Sequence, residues 1–280
     1  MASDPVWNLR RARAGTLRAR HPPAAELLGF YAELLALQES IYGEVLHSSW
    51  PTVDVQAARL RLDRLPERQT TWVFDKFIRA LPPSATPMLK AIAERLANDR
   101  DLRRDVLVAW IGRRPLEEIA DGLDCDAAPL EFFPRAFLQP YAEALRVRAG
   151  VAATDAKMLT PAACPCCQCR PVAAILRDEP EIKGRKTLLC SLCAAEWAFP
   201  RSRCVACGEE APDRLQSHVA EAWTHIRLEE CASCGTYLKT IDLRESGLAV
   251  PVVDELASVE LDLWAAERNL TKYQPNLFGL

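Results

Sequence analysis

Eight cysteines in this chain are spaced to hold metal. They form four Cys-x-x-Cys pairs, Cys164/Cys167, Cys190/Cys193, Cys204/Cys207 and Cys231/Cys234. A two-residue spacer lets one tight turn aim both sulfurs at a single ion, and two such turns complete a tetrahedral shell of four thiolates with no position left for water or substrate. Closed shells of this kind hold structure or carry electrons and rarely hydrolyse anything. Zn²⁺ or a single Fe ion suits the donor set, and spacing alone does not separate the two. A [4Fe–4S] cluster ranks behind both, because its ligands usually include three clustered cysteines.

The pairs repeat. Cys164/Cys167, an insert of 22 residues and Cys190/Cys193 match Cys204/Cys207, an insert of 23 residues and Cys231/Cys234. A basic residue before each second pair (Arg185, Arg227) and an aromatic after it (Trp197, Tyr237) also correspond. Duplication points to two modules, each too small for a core of its own and each folding around its metal. Repeat symmetry favours sequential pairing of the motifs. Sharing of one ion by the middle two pairs, ten residues apart, and a cross-brace joining the first pair to the third remain alternatives. Gly208 and Gly235 follow the third and fourth pairs, where positive φ turns backbone N–H groups toward sulfur; Gln168 and Ala194 hold the equivalent places in the first two. Register leaves Cys166 and Cys169 as spare thiols. Cys125, between Asp124 and Asp126, reads as an inert cysteine, since neighbouring carboxylates disfavour a thiolate.

Other chemistry is thin. His21, His47, His218 and His225 stand beside no nucleophile signature, and no glycine-rich phosphate loop occurs. A thioredoxin-type pair would open a helix, whereas four pairs in turn contexts fit metal. Between Cys164 and Val250, eleven Lys and Arg face twelve Asp and Glu, so the side chains sum to −1 before eight thiolates and two divalent ions add −4. A nucleic-acid ribbon needs a basic face, because phosphate contacts supply most of its affinity.

The elements that must position these cysteines follow from periodicity. Residues 1–22 carry Arg10, Arg11, Arg13, Arg18 and Arg20 with few apolar anchors and read as a solvated arm. From Ala24, apolar residues recur at three- and four-residue steps through Val45, over Val55–Ala80 and over Thr86–Ile111, and a further helix is expected over Leu130–Ala149, bent near Pro134 and Pro140. Residues 23–155 are therefore an α-helical domain, closed by a linker at Val151–Pro161. Short β pieces follow at Val172–Leu176, Thr187–Leu189, Thr224–Leu228 and Tyr237–Ile241. The modules divide as 160–203 and 204–250, and 251–280 supplies a C-terminal helix over Val252–Asn269, N-capped by Asp254, and a tail. The expected architecture is thus multi-domain, α plus small metal-bound β. The 280 residues, net charge −3, pI near 5.9 and absence of an apolar leader or membrane-length run fit a protein of a reducing cytoplasm, where paired thiols favour metal over disulfide.

CPCCQCRPV at Cys164–Val172, CSLCAAEW at Cys190–Trp197, RSRCVACG at Arg201–Gly208 and RLEECASCGTYLK at Arg227–Lys239, behind a helical half, resemble the FdhE family of formate dehydrogenase accessory (formation) proteins. The non-cysteine residues Pro171-Val172, Glu196-Trp197 and Tyr237-Leu238-Lys239 share in the resemblance; Gln168 departs from it where the family pattern has glycine. What the resemblance implies is a helical domain followed by tandem rubredoxin-like modules. It also implies that the eight paired cysteines ligate two metal ions, Fe or Zn, with iron favoured. The expected role is that of a cytoplasmic, non-enzymatic maturation factor binding the catalytic subunit of respiratory formate dehydrogenase before export. The rival readings are a zinc-ribbon nucleic-acid binder and a rubredoxin-type electron carrier.

Overall fold

The computed structural model describes residues 5–47, 53–54, 59–150 and 162–280; the expected linker at 151–161 lies outside them. In chain order the elements are α1 (Pro5–Arg20), α2 (Ala25–Leu46), β1 (Val53–Asp54), β2 (Arg59–Leu60), α3 (Glu67–Arg79), α4 (Pro87–Asn98), α5 (Arg100–Ile111), α6 (Glu117–Asp121), α7 (Ala127–Arg148), β3 (Pro171–Arg177), β4 (Arg185–Cys190), β5 (Glu196–Ala198), β6 (Leu215–Val219), β7 (Ile226–Cys231), β8 (Thr236–Asp242), α8 (Pro251–Ala257), α9 (Val259–Ala266) and β9 (Thr271–Lys272). They group into two units. One is Met1–Gly29 with Ala152–Asn276 and Leu280; the other is Phe30–Val151 with Leu277–Gly279. Among the described residues no helix is long and apolar enough to cross a membrane.

The helical unit is organised on α7. Fourteen of its residues are buried, and Phe137 lies 5.1 Å from Phe74 and 5.9 Å from Phe77 of α3, ring centre to ring centre. Each such ring contributes about 2–3 kcal/mol by leaving water. That packing carries α7 unbroken through Pro134 and Pro140, where a break or bend was expected, despite two missing backbone donors. Gln38 of α2 donates to the Ala136 carbonyl at 2.8 Å. Two further helices differ from their periodic reading. The stripe over Thr86–Ile111 splits at Asp99, whose backbone is extended and whose carboxylate accepts the Leu102 N–H at 2.9 Å, starting α5 afresh. The Val55–Ala80 stripe becomes helical only at Glu67, because Pro66 forces Leu65 into an extended conformation.

In the other unit the two cysteine repeats merge into one sheet ordered β5-β4-β3-β8-β7-β6, with β9 also beside β8. Within each repeat the pairing is antiparallel; between repeats β3 and β8 run parallel, with Ala174 opposite Thr240 and Leu176 opposite Asp242. The two repeats, each expected to be too small for a core of its own, share one in which Val172, Ala173, Ile175 and Leu189 of the first repeat pack with Ile241 and Ala249. β3 is central, so Pro171 through Leu176 are buried on both faces, which accounts for its unalternating apolar sequence.

The expected solvated arm is a helix. α1 buries Trp7, Arg10, Arg13, Ala14 and Leu17. Arg10 and Arg13 are buried because they are matched: Arg10 lies over the Trp7 ring at 4.7 Å, and Arg13 grips Asp254 of α8 with Nε at 2.9 Å and Nη2 at 2.5 Å. Asp254 is consequently not a helix N-cap. α8 starts at Pro251 after Val250, and the Asp254 carboxylate reaches back to the Val250 N–H at 2.8 Å. The expected single C-terminal helix also breaks at Ser258, whose hydroxyl donates to the carbonyls of Asp254 and Glu255.

Candidate metal centres

The strands deliver the cysteines. β4 ends on Cys190 and β7 on Cys231, so each second pair of a repeat sits on the turn leaving a strand; each first pair precedes the repeat's opening strand. All four turns share one backbone bend. The residue after each pair has positive φ: Gln168 at 65°, Ala194 at 52°, Gly208 at 80° and Gly235 at 65°. The N–H groups of Gln168, Gly208 and Gly235 donate to the carbonyls of Cys164, Cys204 and Cys231 at 2.9, 3.1 and 2.8 Å. Gln168 therefore adopts the backbone that glycine takes elsewhere, and the departure at this position leaves the turn intact.

The structure brings the sulfurs together in two groups, Cys164/Cys167/Cys190/Cys193 and Cys204/Cys207/Cys231/Cys234, each with its ligand atoms within 4.8 Å of one another. Sulfur separations include 3.7 Å for Cys164–Cys193, 3.3 Å for Cys167–Cys190, 3.8 Å for Cys204–Cys234 and 3.7 Å for Cys207–Cys231. A disulfide needs about 2.05 Å, and none joins the eleven cysteines. A tetrahedron with metal–sulfur bonds of about 2.3 Å has edges of about 3.8 Å. The donor set therefore fits one ion per group, and a cubane cluster, which would hold its ligands farther apart, does not. Sequential grouping replaces both the shared middle ion and the cross-brace.

Electrostatics point the same way. The thiols diverge within each group: burial pushes Cys190 well up and Cys204 to about 12, while neighbouring sulfurs lower Cys164 and, against burial, hydrogen bonds from Thr236 bring Cys234 to about 7, so one thiolate forms readily in each group and ionising all four calls for a cation. Backbone donors face the sulfurs: Leu192 N–H to Cys190 Sγ at 3.3 Å and Ala206 N–H to Cys204 Sγ at 3.3 Å. The groups differ in exposure. All four cysteines of the first are buried, whereas Cys207 and Cys234 of the second are exposed.

The remaining candidates are not members of the sulfur groups, although the two spare thiols touch the first: Cys166 hydrogen-bonds Cys164 and Cys193, and Cys169 hydrogen-bonds Cys167. Cys166 is buried and Cys169 half-buried, and the Cys169 carbonyl accepts the Cys164 N–H at 2.8 Å. Cys125 is half-buried; burial first, then Asp126 and Asp124, raises its thiol. His218 bonds Glu230 at 2.9 Å, His225 bonds Asp254 at 2.7 Å, His21 stacks on Trp223 at 3.8 Å, and His47 is exposed. Sequence reasoning missed the cluster behind β8. Lys239 is wholly buried and donates to Glu255 O at 2.6 Å and Asp262 Oδ2 at 2.8 Å, while Lys272 reaches Glu255 Oε1 at 2.5 Å and Tyr237 OH donates to Asp262 at 2.8 Å. These bonds tie α8 and α9 to the strand that leaves Cys234. The Tyr237-Leu238-Lys239 motif was the visible half of that cluster; its acidic partners carry no local signal.

Comparison with known proteins agrees with this organisation. The family model "FdhE, central domain" matches residues 163–201 and "FdhE, C-terminal domain" matches 202–278, the first covering one sulfur group and the second the other. A relative in Aquifex aeolicus, "Protein FdhE homolog", is 28% identical over 95% of this chain and 93% of its own length. A Shewanella relative of the same description is 37% identical over 99 residues, 35% of this chain and 32% of its own length. The crystal structure of the FdhE protein from Pseudomonas aeruginosa superposes with a TM-score of 0.72 at 26% identity, covering 98% of this chain and 95% of that one.

Proposed function

Because the chain belongs to the FdhE family of formate dehydrogenase accessory proteins, we propose that it is a non-enzymatic maturation factor that binds the catalytic subunit of respiratory formate dehydrogenase in the cytoplasm. One observation carries the reading: the residues matched by the two family models are those that build the two four-sulfur groups and the sheet joining them. Cys164, Cys167, Cys190 and Cys193 hold one ion, and Cys204, Cys207, Cys231 and Cys234 hold the other. Zinc would supply a cross-link alone; iron would add a one-electron couple reached without opening the shell. Rubredoxin-like resemblance favours iron. Either ion locks turns that are otherwise held by a few backbone bonds, so the metal sets the shape of the surface offered to the client.

The test is capture of the formate dehydrogenase catalytic subunit by tagged full-length protein, beside a C190S/C193S variant, with metal content and an absorption spectrum measured on protein purified without oxygen. Capture by the native chain and loss in the variant are expected. Failure of the native chain to capture the subunit would overturn the accessory reading, and equal capture by both would remove the metal-held scaffold from recognition.

A further inference from the structure

The sheet has two edges, and they are unlike. β5 is three residues long and is guarded by Glu196, which pairs with Arg177 at 2.6 Å. β6 runs Leu-Gln-Ser-His-Val in regular register along β7, without a charged residue, proline or bulge. Those are the devices by which exposed edges are usually blunted. The Ala232 N–H donates to the Arg214 carbonyl at 2.8 Å, so Gln216 and His218 alternate inward with it and Leu215, Ser217 and Val219 turn their backbone groups away from β7. Leu215 N–H is taken by Pro212. The N–H and C=O groups of Ser217 and Val219 have no partner among the described residues.

The duplication says what belongs there. β6 opens the second repeat as β3 opens the first, and the edge of β3 that corresponds is already occupied by the strand β8. Cavities flank β6 on both sides. One of about 600 Å³ is lined by His218, Trp223, Leu228, Leu261 and Trp264, and Val219 beside it is 56% exposed. The other, about 140 Å³, is lined by Lys186, Arg201, Arg203, Glu229 and Glu230 and extends to Cys204 and Cys231; Lys186 pairs with Glu229, Arg203 with Glu210 and Glu230 with His218, which leaves Arg201, exposed and without an ion pair among the described residues, as the cation free to meet an acidic group.

We propose that β6 is a docking edge for an extended segment of a partner polypeptide in which apolar and acidic side chains alternate. The added strand satisfies the outward groups of Ser217 and Val219, places its apolar side chains over the Trp223–Trp264 cavity, and sets its acidic ones against Arg201 beside the second sulfur group. The inference leans on the accessory reading only for the identity of the donor, and its test uses no formate dehydrogenase, so either can fail without the other.

The experiment is fluorescence anisotropy of full-length metal-loaded protein with a fluorescein-labelled nonapeptide alternating valine and glutamate, beside one alternating valine and lysine. S217P removes an outward N–H and leaves the β6–β7 ladder intact; V219E sets a carboxylate on the edge, against the acidic peptide, without touching the backbone. Binding of the acidic peptide, weakened at least tenfold in both variants with unchanged urea midpoints, is expected. Should S217P misfold, V219E decides alone. No binding by the native chain, undiminished binding in a folded variant, or equal binding of the basic peptide would overturn the assignment. So would concentration-dependent self-association abolished by V219E, which would give the edge to a second copy of the chain.

Discussion

Replacing Arg13 by methionine tests whether α1 belongs to the cysteine-bearing unit. The side chains of Arg13 and Asp254 are 9% and 0% exposed, and the guanidinium meets the carboxylate through two nitrogens. R13M keeps most of the apolar stem and strands a buried carboxylate, a loss of about 3–5 kcal/mol. His225, 2.7 Å from the same carboxylate, and the Val250 N–H stay behind and keep the loss near the lower end. We expect about 3 kcal/mol, a factor of about 10² in the folding constant and a fall in Tm of about 6–12 °C for a unit of this size. Burial raises the Asp254 carboxyl, but its His225 and Arg13 partners outweigh burial and hold it below the usual carboxylate range. The group therefore contributes stability in full above its unfolded value, near 4, and loses that contribution as pH falls through the lower folded value. The gap between native and R13M protein should accordingly be wide at pH 7 and narrow as acid titrates Asp254. Urea unfolding of metal-loaded protein, followed by circular dichroism at several pH values, measures both. An R13M loss below about 1 kcal/mol, the range of an exposed pair, or a gap that does not change with pH, would refute the argument.

Three further outcomes are expected. K239M leaves Glu255 and Asp262 with one buried cation between them and should lower stability by about 3–5 kcal/mol in the same assay. G235A should lose about 1–2 kcal/mol through its positive φ alone, since an added Cβ meets nothing within 4 Å; a larger loss would mean a steric clash the structure lacks. A chromogenic chelator should draw metal in two phases at least tenfold apart, the faster from the group with Cys207 and Cys234 exposed, and C207S should remove that fast phase; a single phase would contradict the difference in exposure.

The cysteine groups were legible because a two-residue spacer is a local geometric device, and the duplication supplied the most economical grouping. Short-range periodicity likewise located α2, α7 and the strands at Cys190 and Cys231. What escaped depends on distant partners. Arg13 looks solvated until Asp254, 241 positions away, is placed beside it. Lys239 reads as a surface lysine on an alternating strand until Glu255 and Asp262 enclose it. The parallel pairing of β3 with β8 leaves no mark in either strand beyond unbroken apolarity in β3, which a buried helix segment would share. Asp99 and Pro66 did announce their helix boundaries in sequence, but an apolar stripe running through both obscured them.

The Arg13–Asp254 contact sets a clock on biosynthesis. At about 5–20 residues per second, a ribosome needs about 12–50 s to travel the 241 positions from Arg13 to Asp254. Throughout that interval the nascent α1 carries Trp7 and Leu17 without the surface that shelters them, while Phe30–Val151 has emerged in full. Completion of the cysteine-bearing unit is thus deferred to the last stretch of translation, and any ion captured earlier by Cys164, Cys167, Cys190 and Cys193 enters a half-built sheet still missing β8.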